Sequence, residues 1–267
     1  MGFLLFSRVI FIMMMEKTET PEGFVAYESP QESARFSCRV MRYILTGGDS
    51  ARMLEKISQD KADLAIVRIP TTRSDLISLL GGICMKVVFG DCLVIYSRDN
   101  LKIGPPGPLK NNIVFRTAAE SDFRLLDSMT EKIFAGYRNH YHNNRLLGDF
   151  NLVEGYKEWT RRHVNEPGKR CLIGYLHDEP CAYSTIRSDE MESEGVLYGV
   201  MPEFRAMGIY RDLIRATVDL FMREKAPLTI VSTQVENTAV QRVWVTEGFF
   251  LTQSYYTIHL TAVHGRG

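Results

Sequence analysis

Hydrophobic residues in the second half of the chain follow two alternating periods. Strand-like runs, with apolar residues alternating or continuous, are "NIVFRTA", "RCLIGYLH", "CAYSTIRS", "VLYGVMP", "LTIVSTQV" and "FFLTQSYYTIHL". Helix-like runs, with apolar residues three or four apart, are "SDFRLLDSMTEKIFAG", "NLVEGYKEWTRRHV", residues 208–224 and "TAVQRVWVTEG". The order strand–helix–helix–three strands–helix–strand–helix–strand predicts an α+β fold with a mixed, mostly antiparallel central sheet flanked by helices.

These patterns also predict the ends and faces of single elements. We expect Ser121 to be the N-cap of the first helix and Gly136 to end it. The helix over 208–224 carries an apolar stripe formed by Ile209, Leu213, Ile214, Val218 and Phe221. Side-chain alternation along the preceding strand predicts that four residues share one face. They are Glu194, Val196, Tyr198 and Val200.

A segment rich in proline and glycine, 101–112, predicts a linker between a first part, 16–100, and a second part, 113–262. The first part contains "ADLAIVRIP", "TTRSDLISLLGG" and "MKVVFGDCLVIYS", which repeat the strand–helix–glycine–strand order at the end of the chain. This order suggests a weak internal repeat. The alternative is that any α/β protein contains such units.

The first fifteen residues, "MGFLLFSRVIFIMMM", differ from the rest in composition. They lack the basic region and the small-residue cleavage site of a signal peptide, and they are shorter than the roughly 20 apolar residues that span a membrane. We interpret residues 1–15 as an extension ahead of the true start. A first strand or a membrane-targeting segment are the alternatives.

The charge balance argues against polyanionic partners. Lys and Arg together number 32, as do Asp and Glu, so no bulk attraction to nucleic acid or to an anionic membrane is expected. The five cysteines form no C-x-x-C pair, which is typical of reduced thiols in a cytoplasmic protein. His140 and His142 form an H-x-H pair without a third ligand at useful spacing, so no metal is expected.

The turn "GVMPEFRAMGIYRDLIRA", residues 199–216, carries the candidate chemistry. Pro202 lacks an amide hydrogen and ends the strand, so the strand can separate from its neighbour. The helix that starts near Gly208 offers unpaired N–H groups and its positive dipole end. This arrangement suits a phosphate or pyrophosphate, although a plain strand–helix turn is the alternative.

The pattern V-x-P-x-x-R-x-x-G-I in this turn, followed by "ENTAVQRVWVTEGF", resembles the GCN5-related N-acetyltransferase (GNAT) family over about 113–262. The resemblance implies the GNAT fold, with acetyl-CoA as the cosubstrate and a truncated, GNAT-like N-terminal half. The implied cofactor-binding residues share the turn and the following helix. They are Val200, which would pair with pantetheine, then Arg205, Met207, Gly208, Ile209, Tyr210 and Arg211 around the pyrophosphate, and Asn237 and Arg242 nearby.

The segments "FAGYRNHYHNNRLLGDFNLVEGYKEWTRRHV" and "VSTQVENTAVQRVW" are also similar to the dTDP-fucosamine acetyltransferase group. This looser similarity implies transfer of an acetyl group to a primary amine of a dTDP- or UDP-linked aminosugar. A homodimer is a further expectation. The loop with His142, Asn143, Asn144 and Arg145 is either an acceptor contact or an ordinary exposed loop.

Two positions depart from the family pattern. Tyr210 stands where Gly or Ala is usual. Because backbone amides do the binding, a side chain directed outward is tolerable there, but it narrows the room by the phosphates. Trp244 stands where many relatives have a tyrosine that protonates the departing thiolate, and an indole is too weak an acid for that role. Glu194 and Tyr198 are the candidates for catalytic proton transfer. The alternatives are that Glu194 lies at a solvated hairpin end and that Tyr198 is a packing tyrosine.

Two other functions stay open. The acceptor could be a peptide N-terminus, a lysine or an aminoglycoside-like amine. Alternatively, the chain could be a catalytically impaired acyl-CoA-binding protein that regulates a partner, an interpretation that Trp244 favours.

Overall fold

The computed structural model describes residues 23–48, 50–83, 85–147, 150–188 and 193–262. Our interpretations of residues 1–15 lie outside these ranges. The strands are β1 (Phe24–Glu28), β2 (Val40–Leu45), β3 (Leu64–Pro70), β4 (Met85–Asp99), β5 (Ile113–Thr117), β6 (Lys169–Leu176), β7 (Glu179–Ser188), β8 (Ser193–Val200), β9 (Leu228–Gln234) and β10 (Phe250–Ala262). The helices are α1 (Pro30–Phe36), α2 (Ser50–Asp60), α3 (Asp75–Leu80), α4 (Asn100–Ile103), α5 (Phe123–Phe134), α6 (Leu152–Asn165), α7 (Ile209–Arg223) and α8 (Thr238–Thr246).

The backbone contacts group the chain into two units. Unit 1 contains Met1–Val94, Arg138–Phe150 and Gln253–Gly267, and unit 2 contains Ile95–Tyr137 and Asn151–Thr252. Because β4 and β10 each run from one unit into the other along the chain, this grouping differs from a division at 101–112. The two sequence halves stay a prediction. No helix in the described ranges is long and apolar enough to cross a membrane.

In unit 1 the strand order is β1-β2-β3-β10-β4. The β2–β3 pair is parallel, whereas β1–β2 and β3–β10 are antiparallel. One face of this sheet packs on α2 and α3 in a core that contains Tyr43, Met53 and Leu76. The other face carries Arg42 and His259, which alternate with core residues along β2 and β10.

That second face of unit 1 holds a buried polar cluster. Glu32 of α1 accepts hydrogen bonds from Arg42 and from the Tyr141 hydroxyl. Nδ1 of His140 lies 2.8 Å from Nε2 of His259. Arg42 holds the pKa of Glu32 below its usual value against the opposing effect of burial. Burial lowers the pKa of His140 and His259, so both imidazoles are neutral near pH 7.

In unit 2 the strand order is β4-β9-β8-β7-β6-β5. The β5–β6, β6–β7 and β7–β8 pairs are antiparallel, and β8–β9 is parallel. Buried residues of α5, such as Leu126 and Ile133, cover one face with the help of α6. Buried residues of α7, such as Leu213 and Phe221, cover the other. The mixed sheet flanked by helices is the α+β architecture that the sequence predicts.

The hydrophobic pattern placed the helices of unit 2 well but missed one cap. All the residues of the predicted stripe on α7 are buried. The expected N-cap at Ser121 is wrong, because Glu120–Asp122 forms a 3₁₀ turn and α5 begins at Phe123. Oδ2 of Asp122 instead accepts the amide of Ala119 at 2.8 Å. The carboxylate of Asp122 is a better acceptor than the hydroxyl of Ser121, because Arg116 also binds this carboxylate and lowers its pKa to about 2.

Candidate acyl-CoA site

The turn between β8 and α7 is a set of free backbone donors. Pro202–Phe204 forms a single 3₁₀ turn, Ala206 has φ 64°, and Gly208 has φ 87° just before α7. Glycine adopts this left-handed conformation without steric cost. Within the described residues, the turn and the first helical positions contain amides that donate to no protein acceptor. Among them are Met207, Gly208, Ile209 and Tyr210, four of the residues that the sequence predicts at a pyrophosphate.

The strands next to this turn separate. In the described residues β8 pairs with β9 at three positions, which end with Gly195 opposite Val231. On its other edge β8 stays paired with β7 as far as Val200 opposite Ala182. The backbone from Val196 to Val200 therefore has a free edge toward β9, and this edge leads to the turn. We call the space between the separated strands the cleft.

Unit 1 has a similar strand–helix–strand segment without a cleft. There the parallel β2–β3 pairs run from Val40 opposite Leu64 to Ile44 opposite Arg68. A single strand residue, Leu45, remains before the turn into α2. An extended ligand arm needs free backbone groups to pair with, and unit 2 offers more of them.

The expectation that Glu194, Val196, Tyr198 and Val200 share one face is wrong. The β7–β8 register shifts between Thr185 and Ile186, a bulge that adds one residue to β8. Val196 consequently packs with the residues of α5, whereas Tyr198 and Val200 pack with those of α7. The alternation of β8 is interrupted at the residues where the strands separate.

Glu194 is buried and already engaged. Its Oε2 accepts a hydrogen bond of 2.5 Å from Nε of Arg187, and Glu194 itself is 7% exposed. A direct contact between this carboxylate oxygen and an acceptor amine would require the ion pair with Arg187 to open. Its assignment as the base stays a prediction.

The side chain of Tyr210 points inward, toward β8, and not in the outward direction that we described as tolerable. Its ring centroid lies 6.0 Å from that of Tyr198 in an edge-to-face arrangement. The phenol is half-buried and next to the indole of Trp244. Burial raises the pKa of Tyr210 well above its usual value, and Trp244 lowers it in part. Three elements, β8, α7 and α8, thus each place one aromatic ring beside the cleft.

The hydroxyl of Tyr198 lies elsewhere. Its oxygen would lie 1.8 Å from a Cβ at Gly195, so the ring folds back along β8. Burial raises the pKa of Tyr198, and a hydrogen bond with Thr217 of α7 lowers it in part. The role of Tyr198 as a catalytic acid or base stays a prediction.

The basic residues predicted around the turn differ in the contacts that their side chains already make. Nη2 of Arg205 donates to the carbonyl of Ile133 at 3.2 Å. Arg211 forms an ion pair with Glu247 at 3.2 Å, which joins α7 to α8. Arg242 is exposed on α8. Asn237 occupies the N-cap position of α8, and its Nδ2 donates to Oγ1 of Thr233 at 3.1 Å.

The structure adds Lys110 to this set. Its Cδ and Nζ would lie 3.2 and 3.7 Å from a Cβ at Gly208, so the ammonium group stands at the turn. Asp212, which is fully buried, accepts the amides of Lys110 and Asn111 at 2.7 and 3.0 Å and Nδ2 of Asn111 at 2.8 Å. The segment called a linker therefore binds the first turns of α7. In the sequence, the signal for this contact was Asp212, an aspartate on the buried side of the first turn of a predicted helix.

The loop proposed as an acceptor contact is largely used inside unit 1. Asn144 is 1% exposed, and its Nδ2 lies 3.3 Å from Nδ1 of His259. Asn143 donates to the carbonyl of Gly90 at 2.5 Å. His142 contacts the side chain of Asn139. Asn144 is thus buried inside unit 1, whereas Asn143 and Arg145 are exposed. The role of this loop as an acceptor contact stays a prediction.

A cavity of about 570 Å³ lies away from the cleft, beside α7 and the 106–109 segment. Each arginine that lines it is matched by a carboxylate. The pairs are Arg116 with Asp122, Arg215 with Glu247 and Arg223 with Asp219. This cavity therefore has no uncompensated cation of its own. Among the described residues, no cluster of His, Cys, Asp and Glu could hold a metal ion.

Comparison with known proteins supports the fold. Neither a family model nor a curated protein matches the sequence. Solved structures match well: a GCN5-related N-acetyltransferase from Sphaerobacter thermophilus has TM-score 0.63 and 13% identity over 91% of this chain and 78% of its own. One from Kribbella flavida has TM-score 0.61 and 11% identity over 97% and 95%. A tandem GNAT protein from the clavulanic acid biosynthesis pathway has TM-score 0.55 and 10% identity over 97% and 88%. The chain has the GNAT fold.

Proposed function

We propose that this protein is an acetyl-CoA-dependent N-acyltransferase. The observation that carries the proposal is the end of β8–β9 pairing at Gly195 and Val231, next to a turn with four free amides. Free N–H groups at a helix start suit a pyrophosphate. The free edge of Val196–Val200 suits the amide groups of a pantetheine arm. The turn and the free edge of β8 lie in the same unit, and the edge leads directly to the turn.

In this proposal the chain acts mainly by binding and orientation. The amides of the turn, with Arg205 and Lys110, hold the phosphates, and the edge of β8 directs the thioester toward Gly195. A primary amine then attacks the acetyl carbonyl carbon, the new C–N bond forms, and the C–S bond breaks with its electron pair moving to sulfur. The amine nitrogen loses one proton and the thiolate gains one.

We further propose an aminosugar, free or linked to dTDP or UDP, as the acceptor. Its support is the similarity of the segments around 134–164 and 231–244 to aminosugar acetyltransferases. The involvement of Asn143 and Asn144 in unit 1 removes one argument for it. A peptide, a lysine or another small amine is the alternative acceptor within the same reaction.

A second function is favoured by the aromatic rings beside the cleft. Trp244 is 2% exposed and offers no acidic hydroxyl, and the ring of Tyr210 stands beside the path of the arm. A protein that binds acyl-CoA without transferring the acyl group, and acts on a partner, would fit these two features.

One experiment separates the proposals. Release of free thiol from acetyl-CoA is followed with dTDP- and UDP-aminosugars, free aminosugars, polyamines and peptides as acceptors. Acyl transfer predicts acceptor-dependent thiol release and a rise in melting temperature with acetyl-CoA. Binding without turnover on any acceptor would favour the regulatory function. Absence of any stabilisation by acetyl-CoA at saturating concentration would contradict both.

A further inference from the structure

Two buried polar groups of unit 1 have no hydrogen-bond partner, and they lie opposite each other in the sheet. Nε of Arg68 on β3 and Oγ1 of Thr257 on β10 are buried from solvent and make no hydrogen bond with any described residue. Arg68 and Thr257 are Cα partners in the antiparallel β3–β10 register. Side chains at such positions have Cβ atoms about 4.5 to 5.5 Å apart. The two groups therefore share one small region of the sheet.

Both side chains stand on the face of the sheet that carries the buried polar cluster. Their neighbours along the strands, Val67, Ile69 and Ile258, belong to the hydrophobic core on the opposite face. Thr257 is fully buried, whereas Arg68 is half-buried, so a molecule from solvent can reach the arginine. Buried polar groups are normally satisfied, and a pair that is not calls for an explanation such as a ligand.

Arg42, on the same face, shows what Arg68 lacks. Nε and Nη2 of Arg42 each donate to one carboxylate oxygen of Glu32. Two parallel hydrogen bonds of this kind are the strong and specific way in which a guanidinium group binds a carboxylate. Arg68 takes part in none of the ion pairs among the described residues. Its Nε edge is therefore available for a second carboxylate.

The charges around Arg68 suit an anion with a single negative charge. Burial and the charge of Arg42 lower the pKa of Arg68, and Asp91 opposes them without forming an ion pair with it. Burial also lowers the pKa of His140, and the two arginines lower it further. Arg68 nevertheless keeps its proton, as arginines in proteins do. Because Arg42 is already matched by Glu32, one guanidinium group remains to be balanced, and a phosphate dianion would lack a second cation.

We infer that unit 1 contains a binding site for a small carboxylic acid, in which the Nε edge of Arg68 binds the carboxylate and the hydroxyl of Thr257 donates to one of its oxygens. A carboxylate accepts both hydrogen bonds and balances the charge, whereas a water molecule would leave the charge unbalanced. The inference goes beyond the proposed acyl transfer, because neither residue belongs to the turn or the strands of the acyl-CoA site.

A guanidinium group that waits for a ligand should make the free protein less stable. Residues kept for binding often cost stability, and an apolar residue in place of a buried charge is often stabilising. We expect Arg68→Met to raise the melting temperature of the ligand-free protein by about 2 °C or more. The matched control is Arg73→Met, because Arg73 of the same unit pairs with exposed Asp75 at 3.2 Å. It should change the melting temperature by about 1 °C or less.

Sodium acetate is the probe, with sodium chloride and sodium phosphate compared at equal ionic strength. Because a ligand of the native state raises the melting temperature, acetate should stabilise the wild type and Arg73→Met more than Arg68→Met. Arg68→Lys keeps the charge without the planar fork and should also lose the extra stabilisation. Thr257→Val keeps the shape of the side chain and should weaken acetate binding about fivefold.

Nuclear magnetic resonance of the Arg68 Nε–H group makes the same test on the wild-type protein, even if a variant does not fold. We expect its signal, assigned by its loss in Arg68→Lys, to shift saturably with acetate. A signal that does not respond to acetate, or that responds to phosphate alone, would overturn the inference. So would a lower melting temperature in Arg68→Met, because Arg68 would then already have a partner such as Asp91. None of these results depends on whether acetyl-CoA binds.

Discussion

Asp212 joins the 110–111 segment to the start of α7, and its loss should be costly. The carboxylate is fully buried and accepts hydrogen bonds at 2.7, 2.8 and 3.0 Å. Substitution by alanine removes all of these acceptors. It leaves the backbone amides of Lys110 and Asn111 without their partner, while Nδ2 of Asn111 keeps the carbonyl of Met207 at 3.2 Å. At about 1 kcal/mol for each bond, Asp212→Ala should lower the free energy of unfolding by about 3 kcal/mol.

The matched control is on the same helix. Asp219 is 40% exposed in its side chain and pairs with Arg223 one turn later. An exposed pair of this kind contributes about 0.5 kcal/mol or less. Urea denaturation of Asp212→Ala and Asp219→Ala, followed by circular dichroism, measures both losses. If the two variants were equally stable, the structural role assigned to Asp212 would be refuted.

Two further substitutions test the turn and the buried cluster. Gly208→Ala should cost about 1 kcal/mol through its φ of 87° and also weaken acetyl-CoA binding, because the new Cβ displaces Lys110. Calorimetric titration against Gly136→Ala, which has φ 71° and open space, separates strain from binding. Burial, with the charge of Arg42, lowers the pKa of His259 to about 4. The unfolded chain therefore takes up a proton below about pH 6.5 that the folded chain refuses, so stability should fall as pH drops from about 6.5 toward 4. Urea denaturation across this range should show a smaller fall in His259→Gln and the wild-type fall in His177→Gln, whose histidine is exposed.

Local sequence patterns were sufficient to predict the strands and the helix that border the cleft. The apolar stripe of α7 and the strands before and after it follow from side-chain periodicity, which depends on near neighbours in sequence. Gly208 in a left-handed turn was predictable for the same reason, because the conformation restricts the residue type.

Features of the site that depend on distant residues were not predictable. The bulge in β8 is set by its register with β7, and it separates Val196 from the face of Tyr198. The inward direction of Tyr210 depends on space between β8 and α8, elements that are far apart in sequence. Lys110 reaches the turn through the hydrogen bonds of Asp212, and composition alone made that segment a linker.

The central claim is that the turn before α7 binds the phosphates of acetyl-CoA. Hydrogen exchange tests it at single amides. Without ligand, the amides of Met207, Gly208, Ile209 and Tyr210 donate to no described acceptor and should exchange rapidly. Saturating acetyl-CoA should slow their exchange by at least about tenfold, while the first turn of α2 in unit 1 stays unchanged. Saturation with unchanged exchange at these amides, or slowed exchange at α2 instead, would contradict the account.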